Sequence, residues 1–386
     1  MPLNFKPNKM SISFQKLFFA IATVIAIFAI LILAKTILIP LGFALLISFI
    51  LYPLAKKLEI WGINKMFAAF LSMLAMILII GGGIFFFLSQ ITNLPNELSD
   101  FQDKIMGLLR DIIVYINNHF NLETDLEQEY IIEQLKEWFK NVAFPVAENT
   151  FYTTTSFLAG LLATIVYTFL LLIYRTGLTN AFIKFSPVDK REIALNMFKK
   201  VQKVGQKYLS GMILLIIILG LANSIGLWII GVDSPFLFGF LAAAMSIIPY
   251  VGTTLGASIP VLYAFMSNDS LWIPFAVAVM FWAIQLIESN FLSPKVVGSS
   301  LQINPLAAIL SLLIGASVWG IAGMILFLPF VAMLKVICEE FESLKPIALL
   351  IGSQEDDNKE KKEKSIQSSF VKIKNKISKL NIKPKK

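Results

Sequence analysis

SIIPYVGTTLGASIP, residues 246–260, interrupts an apolar run that would otherwise cross a bilayer as one helix. Pro249 and Pro260 each remove a backbone donor and disturb the preceding turn, while Gly252 and Gly256 permit a tight reversal and close backbone approach. In hydrocarbon every backbone polar group needs an internal partner, so irregular backbone survives only where protein or a water-filled cavity surrounds it. Thr253, Thr254 and Ser258 supply hydroxyls for the carbonyls that the prolines expose. The stretch is therefore expected to join two half-helices, roughly 236–248 and 256–266, at a kinked turn inside the membrane.

The rest of the chain supports a membrane setting. Of 386 residues, 57% are hydrophobic and only 15% are charged, against about 25% charged in a soluble domain. Mean hydropathy is +0.75. Apolar runs long enough to span lie at roughly 17–34, 36–55, 67–89, 151–174, 209–231 and 271–287. Two more, 236–266 and 305–337, are too long and too interrupted for one uniform helix each. The first run is too long for a cleavable leader and reads as a retained span. The expected fold is an all-α polytopic membrane protein of about eight transmembrane segments, two of them broken or re-entrant, with a small extracytoplasmic helical segment. Four regions follow: 1–89 with three spans, 90–148 outside the membrane, 149–350 with the broken segments, and a lysine-rich tail at 351–386.

Charge sets the orientation. Lys6, Lys9 and Lys16 precede the first span, Lys56, Lys57 and Lys65 follow the second, and residues 175–207 hold eight basic side chains against two acidic ones. These segments are expected in the cytoplasm, with both termini. Residues 90–148 reverse the balance, with eleven acidic and four basic residues, and span parity places them outside. Within that segment Leu98, Phe101, Ile105, Leu108 and Ile112 recur at helical spacing, and Thr124 with Glu127 forms a capping box for a second helix. On the inner side Ser186 and Pro187 are expected to start an amphipathic helix lying along the membrane surface. The tail carries eleven lysines and five acids over 352–386 and is expected to meet anionic lipid rather than nucleic acid.

The second interrupted segment repeats the design of the first. In PLAAILSLLIGASVWGIAGMILFLPFVAML, residues 305–334, an apolar half meets Gly315, Gly320 and Gly323 before a second apolar half. Paired broken segments in corresponding positions mark an internal structural repeat with a binding site at its interface. If both re-enter, the first does so from outside and the second from inside. Between them runs QLIESNFLSPKVVG, residues 285–298. Gln285, Glu288, Ser289 and Asn290 are polar groups at the end of an apolar span, where a carboxylate is costly without a role or a partner. Glu288 either faces the site and binds a proton, a cation or a polar solute group, or pairs with Lys295 at the interface. Pro294 and Gly298 mark the turn into the second broken segment.

SIIPYVGTTLGASIP, IESNFLSPKVVGSSLQINPL and LLIGASVWGIAGMILFLPFVAMLK together resemble the autoinducer-2 exporter family of bacterial membrane transporters. The motif positions that carry the resemblance are Pro249, Gly252, Glu288, Asn290, Pro294, Gly298, Gly320 and Gly323; the N-terminal half matches in layout only. The resemblance implies an all-helical, oligomeric transporter of the bacterial inner membrane. It also implies either export of the quorum-sensing signal autoinducer-2, a small polar molecule, or sodium/proton exchange.

Other classes fit less well. No GxxxxGK[ST] run exists for a nucleotide, and a single histidine, His119, and a single cysteine, Cys338, give no usual zinc site. No cofactor is expected. An intramembrane protease would need a histidine in the membrane, and carboxylate-pair chemistry would need two acids there. A scaffold that recruits partners through its outer helices and tail remains a further reading. The favoured one is secondary transport of a small polar solute by alternating access around the broken segments. Cation/proton antiport at Glu288 is the alternative.

Overall fold

The computed structural model describes residues 14–91, 107, 157–248, 251–268, 270–298 and 301–353. The two outer helices expected within 90–148 lie almost wholly outside these residues. The tail beyond 353 and Pro249 do so entirely. The described elements are helices: α1 Phe14–Leu33, α2 Lys35–Ile60 and α3 Lys65–Ile91, α4 Phe157–Lys184, α5 Arg191–Ile230, α6 Pro235–Met245 and α7 Val251–Ser267. They continue with α8 Trp272–Ile287, α9 Pro305–Glu340 and α10 Lys345–Ile351. Among them, six are long and apolar enough to cross a membrane. Their outward faces are apolar: Phe19, Ile25 and Ile30 on α1, Leu78 and Ile79 on α3, and Leu158 and Leu162 on α4 are all more than half exposed. Such surfaces are stable against lipid and not against water.

The broken segments are chain reversals. Along an intact helix, residues eight apart stand about 12 Å apart. In α9, a Cβ placed on Gly315 would meet the carbonyl oxygen of Gly323 at 2.5 Å. The chain must therefore double back between them, and it does so at Gly320, whose φ of 60° and ψ of −137° suit a residue without a side chain. Residues 305–319 and 321–340 form one hairpin with a glycine–glycine seam. The first hairpin is built alike. A Cβ on Gly252 would collide with the Met245 carbonyl, and Gly256 lies against Ala242. Phe238 stacks on Tyr263 at 4.3 Å between ring centroids. Both expected reversals are present. The first joins shorter and longer arms than expected, because α7 already starts at Val251 and continues through Pro260 to Ser267. The Ser258 hydroxyl donates to the Thr254 carbonyl at 2.8 Å, as expected of hydroxyls beside disturbed backbone.

Helix α5 is the mast on which both hairpins hang. At 40 residues it is about 60 Å long, twice the thickness of a hydrocarbon core. The expected surface helix with a separate span is corrected by this element. Nothing between 191 and 230 breaks the helix, and Gly205 in its middle is filled by Met333 and Phe49 rather than used as a bend. Ser186 does not cap it. A 3-10 turn at Val188–Lys190, preceded by Pro187, leads into α5. The C-terminal end of α5 packs with the open end of the first hairpin and α8, through Leu227, Val232, Phe238, Tyr263, Val277 and Phe281. Its N-terminal half packs with α2 and the second hairpin, where Leu46, Phe49, Leu326 and Met333 are buried together. Lys200 pairs with Glu340 at that end. The hairpins thus open toward opposite ends of α5.

Polar staples hold the second hairpin at base and tip. Asn304 accepts from the Ala307 amide at 2.8 Å as the cap of α9, and its amide donates to the Leu350 carbonyl at 2.6 Å. Lys335, buried, donates to the Gln302 carbonyl at 2.9 Å. At the tip, the Trp319 indole donates to the Leu31 carbonyl at 2.8 Å, which ties the turn to the end of α1.

The glycine seam gives a direct test. Gly323→Val forces a branched side chain into the Gly315 backbone and is expected to cost about 3 kcal/mol or more. Gly81→Ala, inside α3 with nothing within 4 Å of the new carbon, is expected to leave stability unchanged or raise it by up to about 1 kcal/mol. Thermal unfolding in detergent compares the two.

Candidate functional site

Where the tip of the first hairpin reaches α5 and α8, the chain encloses a small polar pocket of about 20 Å³. Helix α5 contributes Asn223, α6 contributes Ser246, α7 contributes Thr253, and α8 with its extension contributes Gln285 and Glu288. Leu219, Ala242, Phe281 and Ile284 close the remaining walls. Asn223 lies seven residues before the end of α5, about 10 Å along the helix, so the pocket is well inside the apolar body.

Glu288 is placed there by helical spacing: Val277, Phe281 and Gln285 of α8 lie on the inward face that it continues. After Ile287 the chain widens into π-helical turns over Glu288–Leu292 and Pro294–Gly298. Pro294 has no amide to give, and the Ser293 amide reaches back five residues to the Glu288 carbonyl. Glu288 is 8% exposed, while Ser289, Asn290 and Lys295 stay on the outer face. The Ser293 hydroxyl hydrogen-bonds the Glu288 carboxyl. Gly211 of α5 makes room for the arrangement, since a Cβ there would meet the Val296 carbonyl oxygen at 2.5 Å.

Asn223 completes the pocket. It is 5% exposed, and its amide nitrogen makes a long 3.4 Å bond to the Gly239 carbonyl. Its Oδ1, like the Ser224 hydroxyl beside it, has no hydrogen-bond partner among the described residues. An unsatisfied buried acceptor costs about 1–3 kcal/mol, so one that faces a polar pocket points to a ligand or an ordered water. The donor set is rich in oxygen: an amide carbonyl, a carboxyl and hydroxyls around a space that holds one water-sized particle. Among the described residues no group of three or more His, Cys, Asp or Glu could hold a metal ion.

The residues singled out in the sequence fall into separate places. Thr253, Gln285 and Glu288 come together at this pocket. Gly252 and Gly256 hold the hairpin that carries it, with Thr254 and Ser258 on the outward side of α7. Asn290 faces away, its amide donating to the Leu286 carbonyl at 2.8 Å. Pro294 and Gly298 begin and end the second π-helical stretch. Gly315, Gly320 and Gly323 build the second hairpin, which packs on α5 rather than on the first. Asn223 was not singled out. Its signal is an isolated amide in the apolar run LLIIILGLANSIGLWII, residues 214–230, and an intramembrane polar side chain of this kind marks function by default.

An apolar helical body with two opposed hairpins and a buried polar pocket at one hairpin tip is the architecture of a polytopic membrane transporter. The chain belongs to the AI-2E transporter family: residues 21–343 match the family described as AI-2E family transporter. Similar proteins include the candidate transport protein YrrI of Bacillus subtilis (strain 168), 28% identical over 80% of this chain and 87% of that protein. YueF of the same strain, another candidate transport protein, is 29% identical over 78% of this chain and 83% of its own length. The AI-2 transport protein TqsA of Escherichia coli (strain K12) is 24% identical over 85% of this chain and 92% of its own length.

A ligand-facing Asn223 should be expendable for folding. Replacing a poorly satisfied buried amide with a hydrocarbon of similar volume is near neutral or stabilising, so Asn223→Leu is expected to melt at or above the wild-type Tm in detergent. A loss of more than about 2 kcal/mol would show that Asn223 serves packing instead.

Proposed function

We propose that this chain is a secondary transporter of a small polar solute and that the solute passes the pocket formed by Asn223, Thr253, Gln285 and Glu288. The observation that carries this reading is the burial of a carboxyl beside an unpartnered amide oxygen at the tip of a helical hairpin. Polar groups set so deep in an apolar body are retained where something polar must pass or bind. Helix α6 has 11 residues, about 16 Å, half the depth of a hydrocarbon core. The first hairpin therefore reads as re-entrant from the outer face and the second as entering from the cytoplasmic face. Five of the six long apolar helices (α2, α3, α4, α5 and α8) then serve as full spans and the sixth, α9, as the second hairpin; with α1 and the first hairpin these make eight membrane segments, with both termini in the cytoplasm.

The pocket in this conformation has room for about one water, so passage of a solute requires it to widen. The first hairpin is sealed along its own length by Gly252, Gly256 and the Phe238–Tyr263 pair. Alternating access would require it to move against α5 as one body, opening the pocket to one side at a time. The name of TqsA makes autoinducer-2 the first solute to test. The relatives described above are named for transport and not for cation exchange, and solute transport is favoured over antiport at Glu288. The setting is the bacterial inner membrane, with an oligomer as the working form.

Proteoliposome flux tests the reading. Wild-type protein is expected to move labelled autoinducer-2 down its gradient, with Asn223→Leu and Glu288→Gln each lowering the rate at least about tenfold and Ser289→Ala, on the outer face, leaving it unchanged. Gly252 is unsuitable for this purpose, since any side chain there breaks the hairpin. Full flux in both pocket variants would overturn the pathway. Proton-coupled cation exchange without solute movement would replace the function.

A further inference from the structure

A second, larger cleft lies between α2, α4 and the N-terminal part of α5, with a volume of about 410 Å³. It is graded from end to end. Leu45 and Phe49 of α2 and Leu171 of α4 make one end apolar; eleven residues further along α2, Lys56 stands at the other, about 16 Å away. Arg175 of α4 and Lys199 of α5 join Lys56 there. Among the described residues the lining has these three cations and no carboxylate.

The charges are not equivalent. Arg175 is committed: it pairs with Glu59 and lies 5.3 Å over the ring of Tyr52. Lys56 and Lys199 make no ion pair among the described residues. Both are exposed, at the mouth of the cleft. Lys199 also borders a neighbouring hollow with Lys200, Lys203 and Glu340, where Glu340 is taken up by Lys200, so the balance of charge there stays positive. The chain's own tail, with eleven lysines against five acids, has the wrong sign to fill it.

We propose that this cleft binds an anionic phospholipid, with its phosphate between Lys56 and Lys199 and an acyl chain along the apolar wall of α2 and α4. Two observations select a lipid over a soluble anion. Cation and hydrocarbon are arranged in series along one cleft, in the order of a lipid's head and tail. The cleft also sits where the apolar helices α2 and α4 end in basic segments, the level at which headgroups lie. The site is distinct from the lysine-rich tail and independent of the transport pathway.

The test uses delipidated full-length protein in detergent, titrated with phosphatidylglycerol, phosphatidylcholine of the same acyl chains, or inorganic phosphate. Binding is read by native mass spectrometry and by the shift in Tm. Wild type is expected to retain phosphatidylglycerol preferentially and to melt higher with it. Lys56→Gln/Lys199→Gln is expected to weaken that binding about tenfold, and Lys56→Arg/Lys199→Arg to restore it. Lys207→Gln/Lys345→Gln, with the same change of net charge outside the cleft, should bind as wild type does. The proposal is overturned if the control pair loses binding equally or the cleft pair binds as wild type. Equal stabilisation by phosphatidylcholine or by inorganic phosphate also overturns it.

Discussion

The fold depends on two places where backbone touches backbone. A chain that reverses inside an apolar body exposes amides and carbonyls at the turn, and there is no water to receive them. It must therefore reverse tightly and close the gap between the returning helices, which only glycine allows at the distances seen between Gly252 and Met245 and between Gly315 and Gly323. With these seams in place each hairpin is a self-contained unit that can be hung on a neighbour. Without them, neither arm of the first hairpin is long enough to cross a membrane alone.

The neighbour is α5. Its length lets one helix serve both hairpins at different heights and from opposite ends, and its small residues set how near they come. Gly239 of the first hairpin lies against Ser224, next to Asn223, and Gly211 admits the π-helical end of α8. The same contacts that pack the bundle thus bring a carboxyl, an amide and hydroxyls to one point. Glu288 reaches it because it continues the inward face of α8 one turn past Gln285. The spacing of Val277, Phe281, Gln285 and Glu288 keeps them on one face of the helix and leaves Ser289 and Asn290 outside.

Much of this was legible in the sequence. Glycine and proline inside apolar runs located both reversals, and the residues at 285–290 pointed to a polar site at the end of α8. Two features were not legible. Lysines on an apolar stripe after 190 match a surface helix, but helix propensity carries the segment straight into the following span with no breaker between. Asn223 was passed over because one amide in a long apolar run is a weak signal, and its meaning comes from Gly239 and Glu288, both distant in sequence.

Access to the pocket is the most direct test of the account. With the single native cysteine removed as Cys338→Ser, Thr253→Cys places one thiol at the tip of the first hairpin. Its labelling by a membrane-impermeant maleimide is measured from each side of sealed vesicles. Alternating access predicts labelling from both sides and protection by transported solute. A thiol that labels from neither side under turnover, or that solute does not protect, would contradict a pathway through this pocket.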